Sequence, residues 1–459
     1  MRRSIGQCLF PCVAFGIFLL PAGLFGQDEG KTNNDAATRP APKADPADFG
    51  LNLPDAPPKP SDGRLVLVKS PDDELVVAKT FVEVGDQVLV ILPDGRLRAV
   101  PAREATPTDR EFKPLTMDEM AKQLLAKTFR GFKTRTTKRY LYVYNSSEQF
   151  CKGTSAILES MYPALFAYCR RQKMPVHDPE TPLVVILFRT QEEFNRFHEM
   201  PDGVVAYYNG VTNYVVMYEQ SKLLDIAPEL AIKQSISTIA HEGVHQVLHN
   251  IGVQHRFSNW PMWISEGLPE YFAPTTSKGA RWKGVGKPND LRMKSLENYL
   301  KQGPGKNDLV RPTIGAEGLT STGYAAAWAL THFLAERRKE KFFAFLKEVS
   351  ERGPLEKFSE QQNVELFKKY FPDNLATFDV QVVQHLQKLP YEDPIANQTH
   401  YVVLMRGGSR RGYMITTSPK AVVEWQQEQL AQRPTTEFLI QAFPNFAAAK
   451  IFAKSLLGK

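Results

Sequence analysis

The chain has 459 residues, and its 57 lysines and arginines outnumber its 50 acidic residues, which gives a net charge of +7. This length allows one large folded region with two smaller ones. The basic residues are spread along the chain without a basic motif interleaved with aromatic residues, so we do not expect nucleic-acid binding. The sequence contains no glycine-rich phosphate loop and no internal repeat.

The amino-terminal residues predict export. Two arginines follow the initiator methionine, an apolar run covers residues 8–20, and small residues continue to Gly26. This pattern is typical of a secretory signal peptide, residues 1–26, and the run is too short for a stable transmembrane span. Residues 27–63 contain seven prolines without apolar periodicity, which predicts a disordered linker. We therefore expect a periplasmic, cell-surface or extracellular protein.

Short strands and then longer elements follow. Residues 64–105 alternate between apolar and polar residues and are broken by turn sequences, which predicts a small SH3-like β-module. A larger region, residues 116–393, opens with a helix capped by Thr116 and Glu119. Periodicity then predicts a strand over residues 135–145, a helix over 147–171, a strand over 182–188, a helix over 190–199 and a hairpin over 204–218.

The most informative motif is His241-Glu242-Gly243-Val244-His245. It lies in a segment, residues 228–251, whose apolar residues recur at three- and four-residue spacing, which predicts a helix. Side chains at positions i and i+4 share one face, so both histidines can reach one ion at about 2.0–2.1 Å. Glu242 then points beside the ion, where it can take a proton from a water whose pKa the ion lowers.

A second motif supplies a third ligand. Such a histidine motif also occurs by chance on helices that bind no metal. Here Glu266 follows after twenty residues, flanked by Trp263 and Leu268, and adds the carboxylate that a catalytic zinc site requires while a fourth position stays open. His249 would lie about 12 Å from His241 along the axis and is not expected to share the ion.

Together the two motifs resemble those of the gluzincins, zinc peptidases of the thermolysin-like and aminopeptidase-like type, and in particular their peptidase-MA-like branch with its exported bacterial families. The resemblance covers residues 135–389. It implies His241, His245 and Glu266 as zinc ligands and Glu242 as the general base. It also implies an α+β fold with a zincin-like core: a mixed sheet, an active-site helix and a helical carboxyl-terminal lobe.

Three further roles follow from the same resemblance. Glu270 matches an acidic residue that hydrogen-bonds a ligand histidine, although Gly267 and Pro269 weaken the helix between it and Glu266. Tyr324 matches a tyrosine that stabilises the oxyanion, with a buried core tyrosine as the alternative. The run over residues 213–218 matches an edge strand that borders the cleft, with an ordinary hairpin as the alternative.

The remaining features concern the thiols and the carboxyl terminus. Cys151 and Cys169 fall on one predicted helix, about 27 Å apart if it is straight, which indicates free thiols rather than a disulfide. The pattern of residues 396–459 predicts two strands, a helix, a third strand and a second helix, which together would form a small α/β module. Its basic hairpin tip, with Arg406, Arg410 and Arg411, is interpreted as a solvated turn, with a contact to an anion or a wall polymer as the alternative.

These observations predict an exported zinc metallopeptidase that acts on a peptide or protein substrate, with cell-wall peptide as one possibility. The alternative is a non-catalytic surface protein that keeps zinc for stability and binds envelope components through its end modules. Glu242 argues against the alternative, because a structural zinc site has no use for a base and normally closes its fourth position.

Overall fold

The structure, a computed structural model, describes residues 47, 50–201, 203–220, 228–274, 285–301, 308–394, 396, 398–407 and 410–457. The predicted signal peptide and most of the predicted linker lie outside these residues. The fold is α+β, as predicted. Within the described part of the chain, three β-sheets form.

The first sheet belongs to the amino-terminal β-module. Its strands are β1 Pro58–Pro60, β2 Leu65–Lys69, β3 Leu75–Val84, β4 Gln87–Ile91, β5 Leu97–Pro101 and β6 Thr106–Pro107. They are antiparallel in the order β5-β4-β3-β2-β6, with β1 also paired to β3. The predicted disordered linker is therefore wrong at its end, because β1 lies within it. Proline is tolerated in such an outer strand, where no N–H is needed on the open side.

The second sheet carries the larger region. Its strands are β7 Lys133–Thr136, β8 Tyr140–Tyr144, β9 Leu183–Phe188, β10 Ala206–Asn209 and β11 Tyr214–Tyr218, in the order β10-β11-β9-β8-β7. Strands β8, β9 and β11 are parallel, and the two outer strands are antiparallel to their neighbours. The strand predicted over residues 135–145 is instead a hairpin, because the Thr137 N–H donates to the Tyr140 carbonyl and closes a turn.

Helices cover both faces of this sheet. Those of the sheet region are α1 Met117–Lys127, α2 Glu148–Arg171, α3 Gln191–Phe197 and α4 Pro228–Asn250. Alternate residues of β8 and β9 face opposite sides, so one face packs against α2 and α4 and the other against α1 and α3. The predicted caps are present: Thr116 and Thr190 each form a capping box with the glutamate three residues later.

The rest of the larger region is helical. Its helices are α5 Met262–Phe272, α6 Asp290–Lys301, α7 Val310–Gly315, α8 Ser321–Arg337, α9 Lys339–Ser350, α10 Glu360–Tyr370 and α11 Leu375–Leu386. Helix α5 is buried along its whole length and packs against α8. The close approach requires Gly267, since a Cβ there would lie 2.8 Å from the Ala327 carbonyl oxygen.

The carboxyl-terminal residues form the predicted strand and helix order. Strands β12 His400–Gly407, β13 Arg410–Thr416 and β14 Glu437–Phe443 make the third sheet, in the order β13-β12-β14, with helices α12 Pro419–Gln432 and α13 Phe446–Leu457. Cys151 and Cys169 are buried free thiols, as predicted. Among the described helices, none has the length and apolar character needed to cross a membrane.

Candidate metal centre

Helix α4 brings the two histidines of the first motif together. His241 and His245 are fully buried, and their Nε2 atoms lie 3.2 Å apart. The helix is held close to α2 because position 243 is glycine: a Cβ there would lie 2.8 Å from the Met161 Cε atom and would also meet Leu158. Gln246, on the same helix, donates to the carbonyl oxygens of Val184 and Asn213 and so fixes α4 to the sheet.

Helix α5 adds the carboxylate of the second motif. The Oε2 atom of the fully buried Glu266 lies 3.1 Å from His241 Nε2 and 3.6 Å from His245 Nε2. Pro269 does not interrupt α5, which continues to Phe272. Glu266 and Glu270 are therefore one helical turn apart on the same face.

The spacing of these donor atoms fits a metal ion. Donors about 2.0–2.1 Å from a tetrahedral ion are about 3.3 Å from one another. The three observed separations are 3.1, 3.2 and 3.6 Å. Among the described residues, His241, His245 and Glu266 form the group of histidine and acidic side chains whose ligand atoms lie close enough together to hold one ion. Two imidazoles and one carboxylate suit zinc, whereas calcium and magnesium take mostly oxygen donors.

A buried network supports His241 from behind. Glu270 Oε1 lies 3.1 Å from His241 Nδ1, within ion-pair distance but without the alignment of the predicted hydrogen bond. Arg292 of α6 binds the same carboxylate through Nη2 at 2.6 Å and Nε at 2.8 Å, and Asn289 Nδ2 donates to it at 3.0 Å. Although burial opposes it, the charge of Arg292 lowers the pKa of Glu270 to about 2. Glu270 is thus an ionised acceptor that can fix the His241 ring.

The same carboxylates act on the ligand histidines. Burial alone would lower the pKa of His241, but its bonds to Glu266 and Glu270 outweigh burial and raise that pKa to about 10. For His245 burial dominates and lowers the pKa. The pKa of Glu266 is lowered, because the two histidines outweigh its burial. The two carboxylates therefore favour a positive charge on His241.

Glu242 is buried beside these ligands. Neither of its carboxylate oxygens has a hydrogen-bond partner of good geometry among the described residues, although the backbone of Tyr208 lies near enough to lower its pKa somewhat. Burial is the larger effect, and the pKa of Glu242 is raised to about 8. A fully buried carboxyl group without good partners is costly unless another group approaches it, so the position suits proton transfer.

Tyr324 lies at the same centre. It stands in the first turn of α8, is 3% exposed, and its ring centroid is 6.4 Å from that of His241. Burial and then the nearby charges of Glu266 and Glu242 raise its pKa well above the usual value. The tyrosine is therefore a neutral hydroxyl group, close enough to the carboxylates of the site for their charges to act on it.

The other histidines stand apart from the metal group. His249 stacks on the ring of Tyr208, with centroids 5.1 Å apart. His332 is buried, with Nδ1 2.9 Å from His385 Nε2 and Nε2 3.0 Å from the Gly286 carbonyl oxygen. His255 lies in the loop after α4.

Strand β10 forms the edge of the sheet nearest the site. Its partner β11 pairs on both sides, with β10 and β9, so the prediction that residues 213–218 form the edge strand is wrong. The Tyr218 N–H donates to the Val205 carbonyl, and antiparallel bonding alternates, so the backbone groups of Ala206 and Tyr208 point away from β11. No other described strand pairs with that open side.

Sequence reasoning missed several groups that the fold brings to this centre. They are Arg292 and Asn289, which hold Glu270, and the open backbone of β10. Arg292 lies more than twenty residues beyond Glu270 without a recognisable motif around it, so only the packing of α6 against the site reveals its role.

A family model matches the part of the chain that contains the centre. Residues 235–356 match the family model described as "Protein of unknown function (DUF1570)". This segment contains the three candidate ligands, Glu242 and Tyr324. No curated protein matches the sequence significantly. The chain is similar to the crystal structure of a functionally unknown conserved protein from Bacillus anthracis str. Ames, with 8% identity, 76% of this chain and 77% of that chain covered, and a TM-score of 0.31.

Proposed function

We propose that this protein is a zinc metallopeptidase with a zincin-like core. One observation carries the proposal: three donor atoms, of His241, His245 and Glu266, lie 3.1–3.6 Å apart in a fully buried group, with the carboxylate of Glu242 beside them. A purely structural site would have no use for such a carboxylate.

Each residue around the centre has a separate role in the proposed hydrolysis. Zinc bound by the three donors would supply a Lewis acid for a carbonyl group and would lower the pKa of water. Glu242 takes the proton of the attacking water and later passes it to the leaving nitrogen. Tyr324 donates a hydrogen bond to the oxygen of the tetrahedral intermediate. Glu270, held by Arg292, keeps the His241 ring in its binding orientation.

The open side of β10 favours an extended peptide as substrate. Its outward N–H and C=O groups would pair with a peptide backbone and lay the peptide past Glu242, whose neighbour is the Tyr208 backbone. Backbone pairing makes few demands on side chains, so the substrate class is protein or cell-wall peptide in extended form.

The amino-terminal sequence supports an exported location. Sequencing the amino terminus of the mature protein tests this location, since its first residue is expected near position 27.

Two substitutions in the full chain test the proposal by separating a ligand from the base. Glu242→Gln keeps the shape and all three ligands, so zinc should stay near one per chain while hydrolysis of a mixed peptide library falls by orders of magnitude. Glu266→Ala removes a ligand, so both zinc and hydrolysis should be lost. The zinc content of each protein is measured by mass spectrometry. Hydrolysis of the peptide library is measured in the presence and in the absence of a chelator.

The outcomes are distinct. A wild-type protein that holds one zinc but cleaves no peptide would support the non-catalytic alternative, in which zinc stabilises a surface protein. Full zinc retention by Glu266→Ala would show that this glutamate is not a ligand, and loss of zinc from Glu242→Gln would contradict the proposed separation of ligand and base.

A further inference from the structure

The turn between β10 and β11 packs against the amino-terminal β-module. The Leu97 N–H, at the start of β5, donates to the Val211 carbonyl oxygen at 2.8 Å. The Val211 side chain is 8% exposed and packs in one apolar cluster with Leu97, Leu89 and Val82 of the module. One end of the edge strand is therefore attached to a separate sheet by both a hydrogen bond and apolar contact.

Arg256, in the loop between α4 and α5, joins the same two parts. Its Nη1 atom donates to the carbonyl oxygens of Gly95, in the β-module, and Gly210, in the β10–β11 turn, at 2.9 and 3.3 Å. The side chain is 6% exposed, and within the described residues no carboxylate lies within ion-pair distance of it. A buried cation without a carboxylate partner is costly, so it is held by its two carbonyl contacts and by the Phe81 ring of the β-module, whose centroid lies 5.8 Å from the Arg256 Cζ atom.

The other side of the turn is attached to the metal-binding helix. Asn213, whose φ is 65°, accepts hydrogen bonds from Tyr208 Oη at 2.8 Å and Asn250 Nδ2 at 2.7 Å. Gln246 donates to its carbonyl oxygen at 2.8 Å. The turn thus lies between α4, which carries the histidines, and the β-module, which carries none of the candidate ligands.

From this arrangement we propose that Arg256 is a positioning residue, and that the β-module acts through Arg256 and Val211 to hold β10 at its distance from the metal centre. The proposal rests on the proposed function, since β10 is taken there as the strand that binds substrate. Arg256 makes no hydrogen bond to a candidate ligand or to Glu242 among the described residues. Its loss should therefore affect the binding of long substrates more than zinc or the chemical step.

Kinetics on substrates of two lengths test this role in the full-length, zinc-loaded protein. Arg256→Met removes both hydrogen bonds, and we expect KM for an extended peptide to rise roughly tenfold. Turnover of a blocked dipeptide, too short to pair along β10, should stay within about twofold, with zinc near one per chain. Arg98→Met is the matched control, because Arg98 also donates to a backbone carbonyl, that of Lys69, but entirely within the β-module.

Hydrogen exchange supplies a readout that does not depend on activity. The backbone amides of Tyr207 and Asn209, which face β11, should exchange faster in Arg256→Met while those of β8 remain protected. Unchanged KM and unchanged exchange would overturn the proposal, as would an equal loss of protection throughout the larger region, which indicates a purely structural role. If Arg256→Met does not fold, Val211→Ala tests the same attachment with the same expected results. A wild-type protein without hydrolysis would refute the proposed function, whereas the exchange experiment would still decide the positioning role.

Discussion

Replacing Arg292 by methionine tests the network behind the metal centre. Arg292 is 7% exposed and Glu270 0%, and they meet through two hydrogen bonds of 2.6 and 2.8 Å. Removing one partner of a buried ion pair costs about 3–5 kcal/mol. Glu270 keeps its bond from Asn289 at 3.0 Å, so we expect the lower end, about 3 kcal/mol, in the free energy of unfolding.

The same substitution should weaken zinc binding. With Glu270 held less firmly, His241 loses its fixed orientation, and the zinc affinity should fall roughly 10- to 100-fold. Urea unfolding of the metal-free protein measures the first effect, and competition with a chromophoric chelator measures the second. Arg311→Met is the matched control: Arg311 pairs with Asp308 at 3.4 Å, both are well exposed, and the stability change should be under about 1 kcal/mol. A loss below about 1 kcal/mol in Arg292→Met, with unchanged zinc affinity, would refute this account of the network.

Three further predictions concern α8 and its neighbours. Tyr324→Phe should lower kcat roughly a hundredfold with zinc content unchanged, and a wild-type rate would make Tyr324 a core residue only. Gly267→Ala should destabilise the protein by about 1–3 kcal/mol in urea unfolding, because the new Cβ would meet the Ala327 carbonyl oxygen. Gly153→Ala is the control: nothing lies within 4 Å of its new Cβ, so this substitution should not destabilise the protein. Burial and then neighbouring positive charges lower the pKa of His385 to about 4. The folded state therefore binds fewer protons than the unfolded state between pH 6.5 and 4. The free energy of unfolding should fall as the pH drops through this interval. His385→Asn should make that fall shallower by at most about 1.4 kcal/mol per pH unit, and parallel curves for both proteins would contradict the assignment.

The sequence predicted what is encoded locally. His241 and His245 lie one turn apart on any helix that includes them, and the apolar periodicity of residues 228–251 indicates that helix without knowledge of the fold. The position of Glu270 was harder to predict, because Gly267 and Pro269 lower helix propensity. Packing against α8 outweighs propensity there, and the same glycine that weakens the helix allows the contact.

Long-range arrangement was the part that could not be predicted. The hairpin of β10 and β11 was expected, but a hairpin pattern does not specify which of its strands joins the rest of the sheet. Arg292 reaches Glu270 from α6 across an intervening segment, and no residue spacing encodes that contact. Strand β1 was missed for a different reason: its prolines favour a linker, and only the exposed edge position makes them compatible with a strand.

The buried charges of the centre favour the binding of a cation. Glu242, Glu266 and Glu270 are all fully buried, and Arg292 pairs with Glu270. Leaving further carboxylates uncompensated would cost several kcal/mol each, so the site must take up protons or a metal ion. A proton bound at His241 compensates one negative charge, so a second buried carboxylate must be protonated as well. A divalent cation between the three donors would compensate the charge and allow both imidazoles to be neutral ligands, while Glu242, whose oxygens lack good partners, would stay available as a base.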